Sequence, residues 1–440
     1  MKITLIEPAM IKTDSFSEKP SWQLTPLTLA TLAGLTPPDV EVQAIDDRIE
    51  AIDYDAPRDL VGISVKTFTA RRAYQIAGEF RRRGVPVILG GHHPTLLPEE
   101  AAQHADAVVV GEADGVWSNV LADLAAGRLK KHYHLPEKLP FKDIRVDRSI
   151  FAGKKYLPVA MVETTRGCPF SCNFCSVTTF FGRSFRHRPP QEVAQEIASL
   201  GQKFVFLVDD NIVADKEAAK ELFRALIPLK VRWISQASLT MTKDRELMRL
   251  MHQSGCAGVL TGIETISHAN LKQIHKSWNT VGIGYSEALK IARDHGIAIV
   301  GSFILGMDED TPASLDELLE FTIHERLFAA LFNMLTPYPG TELYDEFLRE
   351  RRFIRSRWWL DPNYTYGSVV FNPKNISAHE LEQARLELYR AFYGPASMLK
   401  RLWEPKANLQ DLWHAFTFLA MNLPATREEQ MRFGKALGAS

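Results

Sequence analysis

YLPVAMVETTRGCPFSCNFCS, residues 156–176, reads as a short apolar strand, Leu157 to Glu163, that runs into a loop carrying Cys168, Cys172 and Cys175. Thiolates with three and two residues between them hold three irons of a cubane [4Fe-4S] cluster and leave the fourth iron without a ligand from the loop. That vacancy is informative, because an electron-transfer cluster wants four protein ligands whereas an open iron binds another molecule. An aspartate, a histidine or the remote Cys256 are alternative fourth ligands. A structural zinc site is the competing assignment, but it needs a closed ligand set and its usual paired spacing is absent.

Beyond the loop, short apolar runs alternate with helix-like segments. KFVFLV at 203–208, Val231 to Ser235, Ala257 to Gly262, Ile297 to Leu305 and Leu331 to Leu335 bring the count to six strands, which predicts a partial (β/α)6 barrel over 156–345. Asp209 and Asp210 follow the second strand, where carboxylates grip an ammonium group or, alternatively, cap a helix. Glu264 lies just past the fourth strand, as a ligand contact or a turn carboxylate. Cys256 precedes a buried strand and reads as a small core side chain more than a cluster ligand. Of the basic residues around the loop, Arg183, Arg186, His187 and Arg188 read as surface structure, and Arg166 as an accessory site residue.

Upstream, runs at 2–6, 40–45, 60–65, 85–90 and 107–110 separated by helix-length stretches predict a parallel sheet, a Rossmann-like α/β domain over 1–135. Its ligand edge carries Glu7 and Pro8, Asp46 and Asp47, Ser64 to Lys66, Gly90 to His93, and Gly111 to Asp114. Gly90 and Gly91 allow close backbone approach to a cofactor, with His92 and His93 beside them, or simply close a strand-to-helix turn. No GxGxxG follows the first strand, so dinucleotide binding is not supported. Ala70 to Arg83 reads as a helix with Ala73, Ile76, Ala77 and Phe80 inward and a solvated arginine face rather than an RNA site. The pattern weakens over Leu124 to Val146, with Pro136 and Pro140, and a linker is placed at 136–155.

Residues 346–440 predict a mainly helical appendage. Asn408 to Met421 carries an apolar face of Leu409, Leu412, Trp413, Phe416, Leu419 and Ala420, expected to pack against the barrel, with substrate or membrane contact as the alternative. Trp358, Trp359, Tyr364 and Tyr366 cover the barrel or flank a substrate. In 440 residues, 52 Lys+Arg balance 53 Asp+Glu, so no global field draws nucleic acid, and none is expected as partner. Four cysteines, three of them in one loop, do not form a disulfide framework. No signal-peptide core or membrane-length apolar run is seen, so a soluble, cytoplasmic protein is expected.

Cys168-Pro-Phe-Ser-Cys172-Asn-Phe174-Cys175 resembles the CxxxCxxC signature of the radical S-adenosylmethionine superfamily, with its aromatic residue before the last cysteine. The resemblance implies that the open iron binds the amino and carboxylate groups of S-adenosylmethionine, that Phe174 lies beside adenine, and that one-electron cleavage gives methionine and a 5'-deoxyadenosyl radical. VDDN at 208–211 stands where the superfamily commonly has GGE, a departure known in its cobalamin-associated branch, and implies Asp209 or Asp210 as the ammonium ligand. GIET at 262–265 resembles the family's GIES segment and implies a ribose or methionine contact for Glu264. GSFILG, Gly301 to Gly306, resembles the fifth-strand glycine motif near adenine, and PYPGTELY, 337–344, a segment that closes the barrel beside substrate.

The domain order over roughly 1–345 is similar to the cobalamin-binding, class B methyltransferase-like branch of that superfamily. It implies cobalamin between the N-terminal domain and the barrel, with Gly90, Gly91 and His92 as candidate contacts. The DxHxxG element is absent and DDRIE follows the second strand, so histidine ligation at that place is not expected. The implied reaction is C-methyl transfer to an unactivated carbon of a small, hydrophobic biosynthetic intermediate, served by a one-electron reductant such as flavodoxin or ferredoxin. Oxidative cyclisation, hydroxylation or rearrangement is the alternative, and a non-enzymatic scaffold a weaker one. No RNA-binding appendage or second cysteine trio supports RNA modification or methylthiolation.

Overall fold

The computed structural model describes residues 1–12, 23–135, 137–280 and 282–439. Pro136, cited above for the linker, lies outside them. Two six-stranded parallel sheets organise the chain. The first contains β1 (Lys2–Glu7), β2 (Glu41–Asp46), β3 (Leu60–Ser64), β4 (Val87–Gly90), β5 (Ala107–Val110) and β6 (His132–His134), in the order β2-β1-β3-β4-β5-β6.

Its central strands are apolar on both faces because helices cover both. Ile3 and Leu5 pack with Leu29 and Trp117, while Ile6, Val61 and Ile63 pack with Ala73, Ile76 and Phe80 of helix Ala70–Arg82. The strand order reverses between β1 and β3, which opens a crevice at the carboxyl ends of the strands. Arg72 of the arginine face forks onto buried Asp47 at 2.8 and 2.9 Å, and Arg81 and Arg83 pair with Asp106 and Asp55. β6 falls where the sequence pattern weakens. Only Tyr133 of the three residues is buried, so no apolar run announces this strand.

The second sheet holds β7 (Ala160–Val162), β8 (Phe204–Leu207), β9 (Arg232–Gln236), β10 (Cys256–Glu264), β11 (Ala298–Leu305) and β12 (Ala329–Met334). They neighbour one another in sequence order, every pairing parallel, which is the partial barrel.

The C-terminal helices Ala378–Phe392 and Pro395–Leu402 close the β12 side, where Phe332 meets Tyr389 and Phe392 edge-on. Arg401 is fully buried and donates to the carbonyls of Leu327, Phe328 and Phe392 and to Asn422. The last helix, Leu412–Arg432, corrects the expected packing face. Its inward residues are His414, Phe418 and Asn422, whereas Leu412 and Phe416 are 90% and 70% exposed. Polar anchors dock it: Asp411 at its start pairs with Arg232, and Asn422 bonds the Phe328 carbonyl as well as Arg401. Hydrophobic periodicity is blind to such anchors. Gly438–Ala439 pairs in parallel with Ile11–Lys12, so the two ends of the chain meet.

Candidate active site and cofactor clefts

The cysteine loop hangs from a short antiparallel ladder, Thr165–Gly167 against Phe185–His187. Gly167 has φ +87°, and a β-carbon there would stand 2.2 Å from the Ser184 carbonyl oxygen, so only glycine fits. Asp209 braces the ladder from the end of β8. One carboxylate oxygen accepts the N–H groups of Thr164 and Thr165 at 2.8 and 2.6 Å, and the other accepts the Thr164 hydroxyl at 2.7 Å. Asp209 is fully buried, lines neither cleft described below, and therefore sits as a brace where the sequence suggested an ammonium ligand.

Burial pushes the Asp209 carboxyl up to about 7 against those three donors. The folded state then holds a proton that the unfolded chain has released, so this group's contribution to stability falls as pH rises from about 4 to about 7. Asp209→Asn is expected to flatten that dependence, read as Tm across the same pH range.

Cys168, Cys172 and Cys175 are free and half-buried. Burial raises all three thiols, Cys172 to about 12, and the nearby Lys276 charge works in the opposite direction on each. Cys175 also accepts the Val177 and Thr178 N–H groups at the start of helix Ser176–Phe181, which favours its thiolate. Among the described residues no three His, Cys, Asp or Glu are grouped to hold one metal ion. A cubane does not need that grouping, since each thiolate takes a different iron. Cys256 is buried at the start of β10, its thiol directed at the Gly258 carbonyl.

A cavity of about 320 Å³ opens at the barrel mouth. Phe174 and Glu264 line it together with Ser302, Ile304 and Asn333, and Tyr338, Tyr364 and Tyr366 form an aromatic wall. Glu264 sits at a register break in β10 with φ +64°, a strained conformation for a non-glycine residue. Its carboxylate takes a 2.7 Å bond from Lys276, and both side chains are buried. Lys276 remains charged: burial opposes the charge, but Glu264 and the neighbouring Cys172 raise it above the usual lysine value.

Arg385 reaches the same cavity. Its Nε donates to the Phe332 carbonyl, its Nη2 pairs with Glu429 at 2.6 Å, and the guanidinium lies over the Tyr389 ring and bonds Tyr366. Neither Lys276 nor Arg385 stands out in the sequence, each a single basic residue with no motif around it.

Gly301 and Gly306 stand outside this cavity. A β-carbon on Gly301 would strike the Phe303 ring at 2.8 Å and Leu327 at 2.9 Å, on the strand face opposite Ser302 and Ile304. Gly306, at φ +101°, packs under Leu381 and Phe371 of the appendage.

A second cavity, of about 390 Å³, separates the first sheet from the barrel. Ser64 to Lys66, Gly90 to His92 and Gly111 to Asp114 converge on it from the strand ends, as the sequence suggested. Other members of that predicted edge are used internally: Glu7 pairs with Lys66, Asp46 with Arg48, and Asp47 with Arg72. His93 points away, buried against Glu100, which also receives Trp359 and Arg357. From the barrel side come Glu163, Thr165, Arg166, Phe180 and Asp210.

His92 stacks on Phe180 at 4.4 Å, and burial with the Lys66 charge holds its imidazole down to about 4, neutral at physiological pH. Burial lifts the Asp210 carboxyl to about 6. Arg166, expected near the cluster, is a bridge between domains. It donates to Glu112 and Asp114 at 2.8 Å and to Glu163 at 3.1 Å, and lies over the Phe141 ring.

Both clefts fit the implied groups. The inner end of the larger one is an apolar slot between Leu27, Leu32, Leu35, Ile88, Val109 and Trp117, widened by the absence of side chains at Gly62 and Gly90. That suits the flat aromatic tail of a cobalamin. Buried Thr165 Oγ1, without a hydrogen-bond partner among the described residues, faces the same cavity and suits the amides of a corrin. Gly91 turns the chain there at φ +100°, where a β-carbon would lie 3.0 Å from the Val65 backbone.

Known proteins extend this picture. Residues 30–121 match the B12 binding domain and residues 162–322 the radical SAM superfamily. The chain is 32% identical over 418 residues to bacteriochlorophyllide d C-8(2)-methyltransferase of Chlorobaculum tepidum, covering 88% of this chain and 91% of that protein. It is 31% identical over 410 residues to the C-12(1)-methyltransferase of the same organism, covering 90% and 88%. In fold it is similar to the radical S-adenosylmethionine methyltransferase TsrM from Kitasatospora setae, with a TM-score of 0.64 and 17% identity over 89% of this chain and 83% of that one. With the cysteine loop on a six-stranded barrel, a cleft between that barrel and a parallel sheet, and both family matches, the chain belongs to the cobalamin-binding branch of the radical S-adenosylmethionine superfamily and is an enzyme of its methyltransferase type.

Proposed function

We propose that this enzyme methylates an unactivated peripheral carbon of a planar, carboxylate-bearing tetrapyrrole of the bacteriochlorophyllide class. The observation that carries the substrate class is the aromatic wall of Tyr338, Tyr364 and Tyr366, with the Arg385 guanidinium lining the same cavity. Aromatic faces suit a flat macrocycle, and the cationic Arg385 suits its carboxylate. The relatives that act on bacteriochlorophyllides cover nearly the whole chain, which supports the same reading.

Cys168, Cys172 and Cys175 would hold the [4Fe-4S] cluster, and the residues around the barrel-mouth cavity would receive S-adenosylmethionine. Phe174 offers its ring to adenine. Glu264, fixed by Lys276, offers a carboxylate to the ribose or methionine end. Gly90, Gly91, His92 and Asp210 would line the cobalamin, with Arg166 holding the cleft walls together through Glu112 and Asp114. When bound, these groups supply a hydrogen-abstracting 5'-deoxyadenosyl radical and a methyl donor. We place the enzyme in the cytoplasm, with a flavodoxin or ferredoxin as electron donor. No described helix is long and apolar enough to cross a membrane.

Anaerobically reconstituted protein given bacteriochlorophyllide d and S-adenosylmethionine carrying a deuterated methyl group is expected to yield product heavier by that labelled methyl. Substrate conversion without the label would overturn methyl transfer. Arg385→Lys is expected to raise KM by about tenfold with a smaller change in kcat, the loss of one charge-assisted hydrogen bond. Esterifying the substrate carboxylate should raise KM similarly in the unaltered enzyme. Gly90→Leu fills the apolar slot and is expected to lower cobalamin retention at least tenfold, read by absorbance after gel filtration, with the cluster's iron content unchanged.

A further inference from the structure

We infer that the outer face of helix Leu412–Arg432, with Leu399 and Trp403 on the neighbouring segment, docks onto the anionic surface of a lipid bilayer. Leu412, Phe416, Leu419 and Leu423 are 90%, 70%, 40% and 64% exposed, and at about 100° per residue they form one stripe along the helix. Leu399 and Trp403 add exposures of 69% and 73%. Soluble surfaces scatter such residues singly, and a contiguous set marks an interaction site.

Charge selects the occupant. Leu412 to Arg427 contains no acidic residue, Arg427 is exposed at the end of the stripe, and Lys400 is exposed on the adjoining helix. The flanking acids are engaged or lie off the stripe. Asp411 pairs with Arg232 and His414, Glu429 pairs with Arg385, and Glu428 lies beyond the stripe, past Pro424, and is only half-exposed. Two copies apposing these stripes would bring like charges together with no acid on the stripe to meet them. A bilayer offers an apolar interior to the leucines and phenylalanine, anionic headgroups to Arg427 and Lys400, and an interfacial level for Trp403. The helix would lie in the plane of the surface, since it is not apolar enough to span one.

The test is co-sedimentation of the full chain with vesicles of phosphatidylglycerol and phosphatidylethanolamine, and separately with phosphatidylcholine alone. The expected result is binding to the anionic vesicles, weakened at least tenfold by Leu412→Ser with Phe416→Ser. Lys400→Glu with Arg427→Glu should abolish the preference for anionic over neutral vesicles. In the unaltered chain, brominated phosphatidylglycerol should quench tryptophan fluorescence through Trp403, which needs no variant. Lack of binding and quenching with anionic vesicles would overturn the inference, as would equal binding by the Ser variant. A dimer in sedimentation velocity that the Ser variant dissolves would also overturn it, by giving the face to a second copy.

Discussion

Cys172→Ala is expected to remove the iron cluster and all methylated product while leaving the fold intact. The three thiols are half-buried and outside the hydrophobic cores, so deleting one sulfur opens no core cavity. What it removes is one of only three ligands in the loop, and two thiolates cannot hold a cubane against solvent. Iron and sulfide analysis after anaerobic reconstitution should fall from about four of each per chain to background. Thermal unfolding of the apo-protein should move by less than about 1 kcal/mol equivalent, the usual range for an exposed or half-exposed substitution. Retention of a full cluster in Cys172→Ala would show that another side chain completes the site.

Lys276→Met is expected to be the most damaging single change away from the cysteines. The side chain is similar in length, but Glu264 is left buried without its 2.7 Å partner, and breaking a buried pair from one side costs about 3–5 kcal/mol. Glu264 already occupies a left-handed backbone conformation that its surroundings must hold in place. Loss of the ammonium is therefore expected to lower Tm and, with Glu264 in its proposed role facing the cavity beside Phe174, to weaken S-adenosylmethionine binding as well. Glu264→Gln added to Lys276→Met should recover part of the stability but none of the cosubstrate affinity. Differential scanning calorimetry and equilibrium dialysis with labelled S-adenosylmethionine separate the two effects. A double variant no more stable than Lys276→Met would indicate that the pair is not the source of the loss.

The periodic parts of the fold were legible before the structure. Buried parallel strands such as Leu60 to Ser64 announce themselves as short, mainly apolar runs, because both faces of the first sheet are covered. The strand His132–His134 was not, since it pairs through its backbone and buries one side chain. The last helix was found but its faces were exchanged. Hydrophobicity points toward Leu412 and Phe416, whereas the contacts that fix it run through Asp411, Phe418 and Asn422.

The site shows the same division. Cysteine spacing is a local property of the chain and carries its chemistry openly. Asp209 and Asp210 are neighbours in sequence with different surroundings, one inside the loop ladder and one facing the larger cleft. No pattern of residue types separates them. Lys276 and Arg385 become visible only when the fold shows each buried and paired with a carboxylate, Glu264 and Glu429, beside the barrel-mouth cavity.

The most direct measurement of the central claim is 5'-deoxyadenosine released when the anaerobically reconstituted protein meets S-adenosylmethionine and a strong one-electron reductant. A three-cysteine cluster with an open iron predicts its formation in step with methionine, and its disappearance in Cys168→Ala, Cys172→Ala and Cys175→Ala. A protein carrying a complete four-iron cluster that releases none would contradict the account.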